Sequence, residues 1–234
     1  MNRPGHTLNC SKARRWQERI MAGRLKLGVL LSGGGTTLLN LLERQKAGTL
    51  AGEVVCVASD RPGVRGLDRP REAGFPHLPV RVAEPPKDLS ARAQWGADLL
   101  AWCGSHGAEA VLMCGFLRLL PLPDAWTGRV LNIHPSLLPA FGGKGFHGEK
   151  VHQAALDAGV KISGCTVHFA DQVYDRGPIL VQKAVPVMED DTAKSLAARV
   201  FGAECEAYPE AVALMAAGRV RLEKGRARIS PAAG

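Results

Sequence analysis

The stretch LGVLLSGGGTTLLNLLE, residues 27–43, decides the fold. Its first five residues are a continuous apolar run, too short for a helix and apolar towards both sides. That is the pattern of a strand buried on both faces. Ser32 to Thr37 then interrupt the run with three consecutive glycines, and from Leu38 the spacing becomes that of a helix ending near Gly48. A buried strand, a glycine turn and a helix make the first half of a βαβ unit. The same alternation continues along the chain. Strands are expected over Glu53–Ala58, Ala110–Cys114 and Arg129–Ile133, and extended segments over Thr166–Phe169 and Ile179–Val187. Helices are expected over Gly66–Ala73, Ser90–Cys103 (Ser90 as N-cap) and Lys150–Ala158. This order predicts an α/β fold, a mostly parallel twisted sheet with helices on both faces, Rossmann-like, with antiparallel strands near the C-terminal part. Ligands of such sheets bind beyond the carboxyl ends of the strands.

Composition narrows the function classes. The chain has 234 residues, 46% hydrophobic and 22% charged, ordinary values for a globular domain. No apolar stretch approaches the roughly 18 residues that cross a bilayer, so no membrane association is expected. The six cysteines are scattered without a C-x-x-C pair and read as buried thiols of a reduced, cytoplasmic protein, with no metal site. The net charge is +8, but residues 1–26 hold seven Lys/Arg against one acid and residues 219–234 hold five against one. The body between them is net −2, so no nucleic-acid-binding face is expected. Residues 1–25 read as a basic, disordered extension, residues 26–218 as the folded domain and residues 219–234 as a basic, solvated tail.

Two strand ends carry unusual chemistry. Gly35, Thr36 and Thr37 open a helix, where free amides and the helix dipole favour an anion such as a phosphate. The loop matches neither G-x-G-x-x-G nor a P-loop. The second end lies in RVLNIHPSLLPAFGGKGFHG, residues 129–148. Asn132 and His134 are two apart, so they share a strand face at a point where Pro135 stops the pairing. A lone histidine there reads most simply as a satisfied core residue. Further on, a loop between two extended segments carries Asp171 and Asp175. Asp175 folded back against His134 would stabilise an imidazolium and raise the histidine pKa. An amide donor, an acid and a carboxylate together suit acyl transfer.

Asn132-Ile-His134-Pro-Ser-Leu-Leu-Pro139 together with Asp175-Arg-Gly-Pro178 resembles the signature of the folate-dependent formyltransferases, over Leu27 to about Gly218. Ser-Gly-x-Gly before the first helix and Glu204-Cys-Glu-Ala-Tyr-Pro209 resemble the branch that formylates glycinamide ribonucleotide. The resemblance implies attack of that amine on the formyl carbon of 10-formyltetrahydrofolate, the co-substrate. Asn132 would donate to the oxyanion, His134 would be the charged general acid, and Asp175 would keep it protonated. It further implies that Gly35, Thr36, Thr37 and Glu204 bind the ribonucleotide, that Arg92 and the segment Leu117, Arg118, Leu119 and Leu120 bind folate beside Asn132, and that His168 supports the cluster. Gly34 and Thr37 stand where the family commonly has asparagine, and the loop 141–147 differs from its Pro-Gly versions.

Other readings remain at this point. Methionyl-tRNA formyltransferase carries an added C-terminal barrel and formyltetrahydrofolate hydrolase an added N-terminal domain, and length argues against both. A nucleotide-binding module without catalysis would leave Asn132, His134 and Asp175 unexplained. A basic nucleic-acid-binding protein is opposed by the acidic body. The chain is compatible with a homodimer.

Overall fold

Every residue of the first strand, β1 (Leu25–Leu31), except Lys26 is buried, so both of its faces are covered. Leu27, Val29 and Leu31 pack into one apolar layer and Leu30 into another, which is why the run is continuously hydrophobic. The computed structural model describes residues 24–231. The basic extension read over residues 1–25 therefore lies outside the described residues, apart from its last two. Of these, Leu25 is fully buried at the start of β1.

Parallel neighbours of β1 are β2 (Gly52–Ser59) on one side and β4 (Ala110–Met113) on the other. Beyond β2 lies β3 (Val80–Val82), and beyond β4 lies β5 (Val130–His134), both parallel. Antiparallel strands β6 (Ile162–Phe169) and β7 (Ile179–Pro186) complete a seven-stranded sheet in the order β3-β2-β1-β4-β5-β6-β7. The mostly parallel sheet with antiparallel strands towards the C-terminus matches the expectation.

Helices α1 (Thr36–Lys46), α4 (Glu149–Asp157) and α5 (Ala193–Ala216) cover one face, and α3 (Arg92–Ser105) covers the other through Trp95, Leu99, Leu100 and Cys103. Short α2 (Arg69–Glu72) follows a 3-10 turn at Arg65–Leu67. The single helix expected over Gly66–Ala73 is thus two pieces around Asp68, because Pro70 has no N–H and suits only the first turn of a new helix. Ser90 does not cap α3. Its hydroxyl and amide both bond Asp88, at 2.6 and 2.9 Å, and Ala91 takes the N-cap position.

The C-terminal segment corrects the tail reading. Val220–Glu223 and Arg226–Ile229 pair as strands β8 and β9, with Val220 and Leu222 turned into the core and Arg221 and Glu223 outward. Strand alternation lay hidden beneath the basic composition.

α5 was not expected as an element, yet it bears most on the site. A reciprocal Thr192/Ser195 capping box starts it. Tyr208 is fully buried, and its hydroxyl donates between the carbonyls of Met113 (3.1 Å) and Leu131 (3.0 Å). The helix is thereby fastened to the ends of β4 and β5, with Glu204 one turn earlier above the cavity they border.

Candidate active site

The sheet order reverses at β1, whose neighbour β2 follows it in the chain while its neighbour β4 comes after the crossover to the other side. Open α/β sheets bind ligands at that reversal. Here a cavity of about 570 Å³ opens beyond the ends of β4 and β5, lined by Asn132, His134, His168, Asp175, Glu204, Thr37 and the segment Gly115–Leu120.

Asn132, His134 and His168 come from paired strands: His134 lies opposite Thr166, and Asn132 opposite His168. The loop between β6 and β7 then returns Asp175 to them. Its Oδ2 accepts the Gly143 amide at 2.8 Å and lies 3.5 Å from His134 Nδ1. Its Oδ1 lies 3.4 Å from Asn132 Nδ2 and 3.6 Å from His168 Nε2. Residues 43 apart in sequence thus meet at one carboxylate.

The hydrogen-bond partners settle the tautomers. A carbonyl only accepts, so His134 Nε2 carries the proton that it donates to Phe141 O at 2.9 Å. By the same reasoning His168 Nδ1 donates to Phe169 O at 3.0 Å, and its bare Nε2 accepts from Asn132 Nδ2 at 3.1 Å. The Asn132 amide nitrogen is therefore turned towards His168 and Asp175.

Electrostatics overturn one expectation. His134 does not have a raised pKa. Burial of the ring, 5% exposed at its side chain, pushes it below the usual imidazole range, and the opposing pull of Asp175 and the Phe141 carbonyl does not compensate. The ring rests neutral at neutral pH, although a carbonyl on one nitrogen and a carboxylate by the other could hold an imidazolium. For Asp175 burial is again the largest influence and pushes upward. The neighbouring His168 and His134 rings and the Gly143 amide together outweigh it and hold the carboxyl below its ordinary range.

Helix α4 contributes a residue the sequence did not single out. His152 lines the cavity, is 4% exposed, and its Nδ1 has no hydrogen-bond partner. Burial lowers its pKa first, then the neighbouring His134. Its sequence signal, a histidine on an apolar helix face, is the same as that of a core residue.

A pH dependence of stability follows from these two rings. Their folded pKa values lie below the unfolded value of roughly 6.5, so protons favour the unfolded chain. Their contribution is intact above that pH and declines as pH falls through it. The melting temperature is expected to be lower at pH 5.5 than at pH 7.5, and the double variant His134→Asn/His152→Asn to flatten that dependence. Asp175 acts in the same direction but lower on the pH scale, its contribution being lost as pH falls through its depressed pKa.

The glycine loop is braced from behind. Gly35 caps α1 with φ 67°, and a Cβ there would lie 2.7 Å from Gly66 Cα, so both conformation and space demand glycine. Gly66 N–H donates to Gly33 O at 3.0 Å, and Arg69 Nε donates to Gly34 O at 3.0 Å. No side chain caps α1 and no acid stands in its first turn, which leaves its leading amides for an anion. Of the three loop residues expected at the phosphate, Thr37 lines the cavity, whereas Gly35 and Thr36 are not among its lining residues.

Glu204 also lines the cavity, and burial pushes its carboxyl up to about 7. Leu117–Leu120 line it as well. Arg92 is not brought to the cavity: it opens α3, and its Nε is buried without a hydrogen-bond partner.

The formyl transferase family model matches residues 25–212, which include every strand that borders the cavity. The chain belongs to the formyl transferase family. This formyl transferase is 39% identical over 209 residues to the chloroplastic phosphoribosylglycinamide formyltransferase of Vigna unguiculata, covering 88% of this chain and 65% of that relative. It spans 20% or less of the trifunctional purine biosynthetic proteins it matches. Among solved structures, glycinamide ribonucleotide transformylase 1 from Symbiobacterium toebii aligns with a TM-score of 0.79 at 39% identity, over 91% of this chain and 96% of that one. A formyltetrahydrofolate deformylase from Pseudomonas syringae shares the fold, with a TM-score of 0.75 at 23% identity over 90% of this chain and 67% of that one.

Proposed function

We propose that this formyl transferase moves the formyl group of 10-formyltetrahydrofolate to the amine of glycinamide ribonucleotide, a step of purine biosynthesis. The observation that carries this reading is the meeting of Asn132, His134 and Asp175 at one side of a cavity large enough for both substrates' reacting ends. Its lining differs in kind from place to place. The α1 amides with Thr37 suit a phosphate, and Glu204 suits a sugar or amine partner. The apolar Leu117–Leu120 segment suits a flat heterocycle.

The chemistry needs an oxyanion donor and a proton carrier. The substrate amine attacks the formyl carbon, and Asn132 Nδ2 donates to the oxygen that gains charge. The attacking nitrogen must lose a proton and the departing folate nitrogen must gain one. His134, neutral at rest, can take the first and return it to the second, passing through an imidazolium held between the Phe141 carbonyl and Asp175. His168 holds the Asn132 amide in register. The free thiols Cys56, Cys103, Cys114, Cys165 and Cys205 suit the reducing cytoplasm that the reading assumes. Among the described residues no helix is long and apolar enough to cross a membrane.

The test is a formyl-transfer assay with glycinamide ribonucleotide and 10-formyltetrahydrofolate beside a water-only control. Ribonucleotide-dependent release of tetrahydrofolate is the expected result. Release at the same rate without the ribonucleotide would replace transfer by hydrolysis.

A further inference from the structure

The catalytic carboxylate sits on a loop, and a loop holds a side chain only as well as its anchors hold the loop. Asp175 has a φ of 55°, a left-handed conformation that a non-glycine residue keeps only when its surroundings impose it. The inner anchor is clear: Gly177 packs on the Phe169 carbonyl, and Phe169 N–H donates to Pro178 O at 2.9 Å. The outer anchor is the residue next to Asp175. The hydroxyl of Tyr174 accepts the Leu119 amide at 2.8 Å, in a part-buried position. A second, exposed tie runs between the same two segments, from Gln172 Nε2 to Leu122 O at 3.0 Å.

Leu119 lies in the Leu117–Leu120 wall of the cavity, which is itself held from the ends of two other strands. Leu117 N–H donates to Ser32 Oγ at 2.9 Å, and Arg118 Nε donates to the buried carboxylate of Asp60 at 2.8 Å. Three consecutive residues are thus fixed by β1, by the end of β2 and by the Asp175 loop.

We propose that Tyr174 is a positioning residue: its hydroxyl latches the Asp175 loop to the Leu117–Leu120 wall, so that the carboxylate beside His134 is placed by the folate-facing segment. The role rests on the transfer reading above and acts through Asp175, not on substrate. It also makes the carboxylate's position sensitive to whatever occupies that wall, since Tyr174 and Leu119 both border the cavity.

Tyr174→Phe removes the hydroxyl alone. The expected result is about a tenfold fall in kcat, the scale on which a small displacement of a catalytic group acts, with KM for the ribonucleotide nearly unchanged. Placing Tyr174→Phe in an Asp175→Asn background should add no further loss; a full second loss would show that Tyr174 acts elsewhere and overturn the proposal. Two readouts do not need turnover. Amide exchange at Leu119 should quicken, and the NMR titration midpoint of His134 should move down as the carboxylate loosens. Two other histidines share its surroundings, His152 beside it and His168 at the same carboxylate, and both are followed with it. Unchanged kcat, exchange and midpoint would overturn the latch. A wild-type protein with no formyl transfer would instead remove the proposed function, and the exchange and titration results would still decide the latch.

Discussion

Asn132→Ala is expected to lower kcat by about 10²- to 10³-fold, the usual consequence of deleting one oxyanion donor, while the protein still folds. The geometry explains why so much depends on one amide. His168 spends its own N–H on the Phe169 carbonyl and offers a bare nitrogen to Asn132, which fixes which end of the amide faces the carboxylate. The remaining Asn132 N–H makes only a long contact of 3.4 Å to Asp175. That proton is the one a developing oxyanion can claim, because little is lost when it leaves. Alanine removes the donor without placing new bulk, and Asn132 is only half-buried, so the stability change should stay near 1 kcal/mol. Single-turnover kinetics alongside urea unfolding separate the two effects. Near-normal turnover would take Asn132 out of the chemistry.

Gly177→Ala is the second large effect, and it is one of stability. A Cβ at this position would fall 1.8 Å from the Phe169 carbonyl oxygen and 2.9 Å from its carbon. Phe169 is fully buried in β6, and its amide already bonds Pro178, so neither side can give way separately. Overpacking against fixed backbone costs about 3 kcal/mol or more, which for a chain of this length lowers Tm by roughly 10 °C. Activity should fall further than stability does, because Asp175 stands two residues away. Gly33→Ala is the matched control: nothing lies within 4 Å of a Cβ there. Calorimetry of the two variants decides the matter, and a Gly177→Ala protein melting with wild type would show that the loop can shift as a body.

The chemistry of the site was legible because it is written locally. Asn132 and His134 share a strand face by period-two geometry, Pro135 ends the pairing, and the apolar runs of β1, β2, β4 and β5 could be read one by one. Asp175 was legible only through the resemblance, since a loop carboxylate says nothing of where its loop returns. Arg92, given a role only by the resemblance, opens α3 outside the residues that line the cavity. α5 went unread as an element because its polar and apolar residues follow no clean stripe, yet Tyr208 and Glu204 on it frame the cavity. The C-terminal hairpin was masked by five basic residues around a two-residue apolar alternation.

By itself, the sequence determined that strands buried on both faces alternate with helices. It also determined that an amide and an imidazole stand together where one of those strands ends. Spacing along a strand is short-range geometry, and the backbone alone enforces it. The tertiary structure decided the rest: which carboxylate meets His134, which tautomers His134 and His168 adopt, and that the ring rests neutral. Those properties depend on burial and on partners tens of residues away, and solvent exclusion exists only once the chain has closed around them.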